Sequence, residues 1–557
     1  MSYSKSPFEG ADSRTGRNPA TLLLIISAWI ATVGNAALWA DLSKIGRLQT
    51  GTDIWVAVCL ALFAGAALVA LTALLAWRRS IKPVLIFLLI ATALGLHFML
   101  SYGVVIDDTM MINVMQTDPR ETRDLLNTRL FLTLFIVAGL PIIWLWRQRV
   151  QHLGWRKQLL RNALILIACF ALLITAILVS FQGFSSLMRN HKHVRFLINP
   201  VNSLYAIGQI ATQPLRHGPQ PLQSIGQDAK LGASYAAGKK PYLLMIVVGE
   251  TARSANFSFN GYARETTPQL RALSQTEPFL YWKDAWSCGT NTAASLPCMF
   301  SHLGKEAFED SKARYESLLD VLQRAGLAVL WIDNQSGCKG VCDRVPNANT
   351  LSSKVPEHCS SGECHDLIML HELDTRIAAL PAEKRAKGVV VVLHQMGSHG
   401  PAYYKRVPDA FKKFQPECLT NNLSQCSREQ ITNSYDNTLL YTDHLLSSSI
   451  GWLKAQDKTT QSAMIYVSDH GESLGEKGIY LHGLPYAIAP NEQKRIPWLN
   501  WFSPEFVANQ RLDITCLQQS TNARITHDHL FHSVLGLMDV QTTLHQDALD
   551  VYAKCRK

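Results

Sequence analysis

The chain contains few charged side chains, since Asp, Glu, Lys and Arg make up only 17% of its 557 residues. A soluble protein of average composition carries about 25%. The shortage is concentrated before about residue 185, where Leu, Ala, Ile, Val, Phe and Trp dominate, whereas the remainder has a mixed composition. At this length the contrast excludes a single compact domain and indicates a membrane part followed by a soluble part.

Three other patterns are missing from the sequence: an internal repeat, a clear signal-peptide cleavage site and the repeated C-x2-C spacing of zinc ribbons. The missing cleavage site matters because four more apolar stretches follow the first one, so the first is interpreted as a membrane span rather than a removed leader. The missing C-x2-C repeat favours disulfides over zinc for the cysteines.

Five apolar stretches are long enough to cross a bilayer as helices, which takes about 20 residues. They lie at 22–42, 55–77, 83–105, 130–146 and 163–181. One such stretch could be a buried helix of a soluble protein. Five in succession with almost no charge predict transmembrane helices.

The basic residues predict the orientation of these spans, because Lys and Arg accumulate in cytoplasmic loops. They cluster before the first span, between the second and third, and between the fourth and fifth: Lys5, Arg14, Arg17, Arg78, Arg79, Lys82, Arg147, Arg149, Arg156, Lys157 and Arg161. The N-terminus is therefore predicted to be cytoplasmic and the C-terminal domain to lie outside the cytoplasm. The net charge of +10 is largely explained by these turns, so we expect no nucleic-acid partner.

Ten of the 12 cysteines lie in the C-terminal part, and eight of these form close pairs in the sequence. The pairs are Cys288/Cys298, Cys338/Cys342, Cys359/Cys364 and Cys418/Cys426. An extracytoplasmic compartment is oxidising, so disulfides are expected. Cys516 and Cys555 could form a fifth bridge, but spacing alone leaves that pairing open.

We expect three regions: a five-helix transmembrane domain (1–183), a membrane-surface helix with a linker (184–240) and a catalytic domain (241–557). In the second region, 196–205 has roughly helical spacing, and 213–240 is rich in Gly, Pro, Gln and Ala. In the third, strand-like runs alternate with helical patterns, which predicts an α/β fold with a mainly parallel sheet.

Two strand-like runs of the third region end in residues that bind metals. Glu250 follows the run 245–248, and Asp469 and His470 follow the run 464–468. Ligands of α/β folds bind at the carboxyl ends of the strands, so the three side chains should converge there. Two carboxylates and an imidazole suit Zn²⁺ and leave a coordination position open.

Thr292 is the candidate nucleophile, because it precedes a run that could start a helix between Cys288 and Cys298. As the N-cap residue it would lie at the positive end of the helix dipole, which stabilises an alkoxide and a phosphate. A threonine hydroxyl is a weak nucleophile, so coordination to Zn²⁺ would be needed to activate it. The alternative is that Thr292 is a simple N-cap.

Three further histidines lie where a substrate or metal could bind, directly after a strand or on a Gly-flanked loop. His394 and His399 follow an apolar strand, and His482 lies on a Gly-flanked loop twelve residues after His470. Such residues suit phosphate contacts, proton transfer or a second metal, although a lone histidine is more often structural. Lys339 is a candidate for binding a phosphate group. The alternative is an ordinary lysine that is exposed to solvent.

Five motifs together resemble the phosphoethanolamine transferases of the alkaline-phosphatase/sulfatase superfamily. They are 249–253 (GETAR), 260–266 (NGYARET), the Cys288–Cys298 segment, 394–401 (HQMGSHGP) and 468–476 (SDHGESLGE). The chain most resembles the lipid A-modifying enzymes, which include the mobile colistin-resistance group. The resemblance covers essentially the whole chain.

The resemblance implies a role for each candidate residue. Glu250, Thr292, Asp469 and His470 would hold one catalytic zinc, with Thr292 as the nucleophile. Thr292 is preferred to its rival Thr290 because of its distance from the two flanking cysteines. The substrate, or a second zinc, would contact His394, His399 and His482, while Ser336 and Lys339 would contact the phosphoethanolamine.

The resemblance also implies substrate contacts from the loop after the third span. Asn113, Thr117 and Glu121 match there, and their spacing of four predicts one face of a single helix. Gln335 departs from the family pattern, in which Asn is expected. That departure puts the headgroup contacts in question but not the reaction.

The implied reaction moves phosphoethanolamine from phosphatidylethanolamine to a lipid A phosphate through a covalent intermediate on Thr292, with His399 or His482 transferring protons. The implied location is the bacterial inner membrane with a periplasmic catalytic domain, the expected state is a monomer, and the expected result is resistance to polymyxin and related cationic peptides. The rivals are a transferase acting on a lipopolysaccharide core sugar, a membrane-tethered phosphatase or sulfatase, and a non-catalytic scaffold.

Overall fold

The computed structural model describes residues 16–117, 119–217, 220–237, 240–360 and 363–556. It divides into two compact units. The first contains the described residues up to Met111 together with Leu126–Thr212, and the second contains Ile112–Leu125 together with the chain from Gln213 onward. Lys5 and Arg14, which contributed to the predicted orientation, lie outside the described residues.

The first unit is helical. In the described part of the chain, five helical segments are long and apolar enough to cross a membrane: Pro19–Lys44, Gly51–Leu75, Ile81–Tyr102, Thr128–Arg147 and Trp155–Val179. Each overlaps a predicted span, so the prediction of five apolar helices is confirmed. The first segment begins where the sequence favours it, because the Asn18 side chain accepts a hydrogen bond from the Ala20 amide and Pro19 occupies a first-turn position.

Helices also follow the fifth apolar segment, at Phe181–Asn190 and Val201–His217, with a 3₁₀ turn at Lys192–Leu197 between them. Asn199 connects this stretch to the preceding helices of the first unit by hydrogen bonds. Its side-chain amide donates to the carbonyl oxygens of Gly34 at 3.0 Å and Thr92 at 2.7 Å. The predicted surface helix is thus helical in part, and its position on a membrane stays a prediction.

The second unit is built on an eight-stranded sheet. We number its strands β1 (Tyr242–Gly249), β2 (Phe279–Trp286), β3 (Ala328–Asp333), β4 (Asn347–Asn349), β5 (Gly388–His394), β6 (Gln461–Ser468), β7 (Arg495–Phe502) and β8 (Arg524–Thr526). Their order is β8-β2-β7-β6-β1-β5-β3-β4, and β7 alone among them runs antiparallel to its neighbours. The predicted α/β class with a mainly parallel sheet is confirmed.

The central strands β1, β5 and β6 are buried along their whole length, which explains why they read as continuous apolar runs in the sequence. Helices of the second unit lie at Pro268–Ser274, Leu318–Arg324, Leu373–Ala378, Pro504–Asn509, Ile514–Ser520 and Asp528–Leu537. The aromatic core includes the fully buried side chains of Trp282, Trp331, Trp498 and Trp501.

Part of the predicted linker is structured. Leu222–Gln223 pairs in parallel with Arg314–Tyr315, and Lys230–Leu231 pairs antiparallel with Val540–Gln541. These short strands could not be predicted from a segment rich in Gly, Pro and Gln, because their partners lie far away in the sequence.

Candidate residues lie on or beside three further helices, α1 (Asp108–Gln116), α2 (Pro119–Leu125) and α3 (Thr292–Met299), and the long helix α4 (Arg428–Ala455) also belongs to the second unit. The first two correct the expectation of a single helix carrying Asn113, Thr117 and Glu121. Asn113 lies on α1, Thr117 lies beyond its end, and Glu121 lies on α2. Proline is favoured in the first turn of a helix, and Pro119 begins α2.

Candidate active site

The carboxyl ends of four adjacent parallel strands carry the candidate site. Glu250 follows β1, and Asp469 and His470 follow β6, whose last residue Ser468 pairs with Gly249 of β1. His394 ends β5 and pairs with Asp333, the last residue of β3. Because these strands are parallel and in register, their terminal side chains emerge at one edge of the sheet.

Glu250, Asp469 and His470 meet at this edge. One potential ligand atom from each lies within 4.8 Å of the others. The Nε2 atom of His470 lies 3.3 Å from Glu250 Oε1 and 3.3 Å from Asp469 Oδ2. All three side chains are fully buried, which is unusual for two carboxylates and demands a compensating charge.

Thr292 joins this group from the start of helix α3. Its hydroxyl donates to the Glu250 carboxylate at 3.0 Å and lies 3.4 Å from His470 Nε2. The hydroxyl of its rival Thr290 donates instead to the Leu484 carbonyl oxygen at 2.6 Å. The structure therefore places Thr292, and not Thr290, against the Glu250 side chain.

The N-cap of α3 is Asn291, which corrects the interpretation of Thr292 as the cap. Asn291 has extended backbone angles, and its side-chain oxygen accepts from the Ala294 amide at 2.9 Å. Asparagine is an equally favoured cap. Because Asn291 satisfies the helix amide, the Thr292 hydroxyl is left to face Glu250 from the first residue of the helix.

The electrostatics of the cluster reflect two buried carboxylates side by side. Burial and the neighbouring Glu250 charge raise the pKa of Asp469 to about 7. Burial opposes the charged form of His470, but Asp469 and Glu250 outweigh it and raise its pKa to about 9. Burial likewise opposes the charge of Glu250, yet His470 holds the Glu250 pKa below its usual range. Adjacent carboxylates in a buried site compete for ionisation unless a cation is present.

The donor set fits a divalent metal such as Zn²⁺. It offers two carboxylates, one imidazole and a hydroxyl, and the Oδ2 atom of Asp469 is buried without a hydrogen-bond partner among the described residues. Two other groupings of metal-type side chains contain Cys288 with Cys298 and Cys338 with Cys342. Their sulfur atoms are joined in disulfides and are not available as thiolate ligands.

His482 and His399 lie beside the cluster. The ring of His482 is centred 4.5 Å from that of His470 and 5.4 Å from that of His399. His482 Nδ1 lies 2.7 Å from Glu472 Oε2, and Glu472 also accepts a hydrogen bond from the Tyr403 hydroxyl at 2.6 Å. Glu472 therefore fixes the ring orientation of His482.

His394 is held in the same way. Its Nδ1 atom lies 3.1 Å from Asp333 Oδ2, while its Nε2 atom is buried without a hydrogen-bond partner among the described residues. Burial acts against protonation, but the Asp333 charge prevails and raises the pKa of His394. A buried ring oriented by a carboxylate on one side can transfer a proton on the other.

The predicted substrate-contact residues are brought together in part. Glu121 Oε1 lies 3.8 Å from His399 Nε2. Lys339 Nζ donates to Ser336 Oγ at 3.0 Å and to the Gln116 carbonyl oxygen at 3.2 Å. In the described part of the chain, Thr117 makes only local hydrogen bonds, including one from its hydroxyl to the Asn113 carbonyl oxygen at 2.8 Å.

Sequence reasoning missed the second layer of the site. Gln335 donates through its side-chain amide to Glu250 Oε2 at 3.0 Å, so the residue that departs from the family pattern contacts a candidate metal ligand. Glu472 lies two residues after His470, and Asp333 is the last residue of β3. Glu472 was visible within the motif 468–476, but neither its contact with His482 nor the contact of Asp333 with His394 follows from a local pattern.

Five disulfides form in the second unit: Cys288–Cys298, Cys338–Cys342, Cys359–Cys364, Cys418–Cys426 and Cys516–Cys555. The last bridge is the pairing that spacing alone left open. Cys288–Cys298 spans helix α3 and ties it to the segment that precedes Thr292. Disulfides persist in oxidising compartments.

Comparisons with known proteins match both parts of the chain. The Sulfatase family model matches residues 243–540, and the Phosphoethanolamine transferase EptA/EptB model matches residues 64–215. Phosphoethanolamine transferase EptA of Escherichia coli (strain K12) is 41% identical over 482 residues, which is 86% of each chain. Phosphatidylethanolamine transferase Mcr-1 of Escherichia coli is 37% identical over 536 residues, covering 95% of this chain and 96% of the relative.

A solved structure agrees over nearly the full length. The integral membrane protein lipooligosaccharide phosphoethanolamine transferase A from Neisseria meningitidis superposes with a TM-score of 0.90 at 34% sequence identity. The match covers 97% of this chain and 99% of that one.

Proposed function

Since this chain belongs to the EptA/Mcr family of phosphoethanolamine transferases, we propose that it moves phosphoethanolamine from phosphatidylethanolamine to a phosphate of lipid A. The observation that carries the proposal is the Thr292 hydroxyl, 3.0 Å from the Glu250 carboxylate in a buried metal-type cluster. The names of two relatives support the substrates: one is a phosphatidylethanolamine transferase and the other is a lipooligosaccharide phosphoethanolamine transferase.

Glu250, Thr292, Asp469 and His470 would hold the zinc ion. When bound, Zn²⁺ polarises a phosphoryl oxygen and lowers the pKa of a coordinated hydroxyl. Gln335 and the start of helix α3 orient two of these ligands, Glu250 and Thr292, through the contacts described above.

In the first half-reaction the Thr292 oxygen attacks the phosphorus of phosphatidylethanolamine. A Thr292 O–P bond forms, the bond from phosphorus to the glycerol oxygen breaks, and diacylglycerol leaves. The hydroxyl proton lost by Thr292 balances the proton gained by the glycerol oxygen, and His399 or His482 delivers it. Thr292 then carries the phosphoethanolamine group.

In the second half-reaction an oxygen of a lipid A phosphate attacks the same phosphorus. A diphosphate bond forms, the Thr292 O–P bond breaks and the Thr292 hydroxyl regains a proton. His399 or His482 takes up any proton that the acceptor phosphate loses. Ser336, Lys339, His394, Asn113, Thr117 and Glu121 are the proposed substrate contacts. The ethanolamine amine makes the lipid surface less negative, so cationic peptides such as polymyxin bind it less well.

With this function we propose the topology expected from the sequence. Residues 1–183 would form the transmembrane domain in the bacterial inner membrane, 184–240 the surface helix and linker, and 241–557 the periplasmic catalytic domain of a monomer. The Lys and Arg distribution supports a cytoplasmic N-terminus, and the five disulfides support an oxidising compartment for the catalytic domain.

Mass spectrometry of lipid A from a host that expresses the chain tests the proposal. We expect one added phosphoethanolamine with the native sequence and none with Thr292→Ala. Thr292→Ser is the matched control, because it keeps the hydroxyl and should retain part of the activity. Unchanged lipid A with the zinc-loaded protein present would overturn the lipid A assignment, and phosphoethanolamine on a core sugar would move the acceptor there.

A further inference from the structure

Helix α2 carries a carboxylate that is buried against the second unit. Asp124 is 3% exposed, and its Oδ2 atom accepts from Arg406 Nη2 at 2.8 Å. Its Oδ1 atom accepts from Lys405 Nζ. The α2 helix lies between the third and fourth apolar helices in the sequence, yet the segment Ile112–Leu125 that contains it is part of the second unit.

Arg406 joins three separate pieces of the chain. Besides Asp124, its guanidinium donates to Glu363, beside Cys364 of a disulfide-closed hairpin, and through Nε to the His399 carbonyl oxygen at 3.1 Å. The Arg406 side chain is only 3% exposed. A planar guanidinium that serves three acceptors restricts all of them to one arrangement.

This arrangement places Glu121, a proposed substrate contact, next to His399, a proposed proton-transfer residue. Glu121 lies three residues before Asp124, which puts both on the same face of α2. The Asp124–Arg406 pair therefore sets the distance between Glu121 and His399, whose Oε1 and Nε2 atoms are 3.8 Å apart.

Stability alone does not account for these charges. Burying an ion pair has a desolvation cost that often equals its electrostatic gain, and apolar replacements are frequently as stable. Buried ionic groups are best explained where they select one arrangement among several. Here the selected arrangement is the position of the Asn113–Glu121 segment relative to His399.

We propose that Asp124 and Arg406 are positioning residues that hold the segment 113–121 against His399, so that the headgroup of a membrane-embedded donor is bound in line with Thr292. The inference rests on the proposed function. It separates two kinds of substrate: we expect a small soluble phosphoethanolamine ester to reach Thr292 without contacts from this segment, and a lipid headgroup to depend on them.

The test compares two reactions of the full-length protein. One is transfer of phosphoethanolamine in vesicles that contain phosphatidylethanolamine and lipid A, and the other is hydrolysis of p-nitrophenyl phosphoethanolamine in solution. For Asp124→Asn we expect the ratio of vesicle transfer to soluble hydrolysis to fall about 10- to 100-fold, since small misplacements cost this much. The fall should come mainly from a higher KM for the lipid donor, with zinc content unchanged.

Three further variants sharpen the test. Asp124→Glu keeps the charge and should restore part of the ratio. Arg406→Lys keeps the positive charge but loses the planar fork, and it carries the same test if Asp124→Asn accumulates poorly. Asp409→Asn is the matched control, because Asp409 pairs with Lys412 in the same region while its side chain is 96% exposed.

The outcomes are distinct. An unchanged ratio in Asp124→Asn, or a parallel fall of both reactions with the melting temperature, would overturn the positioning role. If the native protein hydrolyses the soluble ester but transfers nothing to lipid A, the proposed acceptor is wrong, and transfer to another acceptor in the same vesicles would still report on the Asp124–Arg406 pair.

Discussion

The Glu250 carboxylate accepts hydrogen bonds from Thr292 and Gln335, both at 3.0 Å, and lies 3.3 Å from His470 Nε2. A single buried side chain thus connects the candidate nucleophile, a candidate metal ligand and an amide of the surrounding layer. Amides and carboxylates that orient metal ligands typically change metal affinity by about 10- to 100-fold when removed.

At the residue scale, Gln335→Leu should therefore weaken zinc binding by about 10- to 100-fold, because Glu250 loses the donor that orients its Oε2 atom. Competition with a chromophoric chelator measures the affinity directly. Gln335→Asn keeps an amide on a shorter side chain and should bind zinc more tightly than the leucine variant. Equal affinities for the native, leucine and asparagine proteins would contradict the orienting role.

The loop after β5 packs against the backbone of Glu250. The Ser398 amide donates to the Glu250 carbonyl oxygen at 3.0 Å, and Gly397 has a φ of +55°. A Cβ atom on Gly397 would lie 2.6 Å from the same carbonyl oxygen. Glycine is required here both by the left-handed backbone and by the space available.

At the element scale, Gly397→Ala should lower the free energy of unfolding by about 1–3 kcal/mol and reduce transfer, because the loop must move away from Glu250. Thermal denaturation and the vesicle assay measure the two effects. The control is Gly451→Ala in α4, where an added Cβ meets nothing within 4 Å. That variant should be neutral or more stable by roughly 0.5–1 kcal/mol. Equal stability of the two variants would contradict this account.

The second unit buries more negative than positive groups where β1 and β6 end. Glu250 and Asp469 are two fully buried carboxylates beside the single imidazole of His470, and burial together with Glu250 raises the pKa of Asp469 to about 7. A divalent cation held by Glu250 and Asp469 would stabilise the folded state, since these two residues lie far apart in the sequence and meet only on folding.

At the scale of the whole molecule, a chelator should lower the melting temperature of the full-length protein, and added zinc should restore it. At a free zinc concentration roughly 1,000 times Kd, the stabilisation is about 4 kcal/mol. Differential scanning calorimetry in detergent measures the shift. Asp469→Asn is the control and should show a much smaller zinc-dependent shift, whereas an identical shift in both proteins would place the zinc elsewhere.

The amino-acid sequence alone determined the five apolar helices, the α/β class and the approximate bounds of β1 and β6. These features follow from local composition and periodicity, which each segment carries by itself. The sequence also singled out Glu250, Asp469 and His470, because metal-binding residues directly after buried strands are recognisable without knowing which strands are neighbours.

Only the tertiary structure decided which of these pieces meet. It made Asn291 rather than Thr292 the cap of α3, divided the loop into α1 and α2, and paired part of the predicted linker with distant strands. It also brought Gln335 to Glu250 and Asp124 to Arg406. Such contacts depend on packing and charge summed over segments far apart in the chain, and no local pattern encodes them.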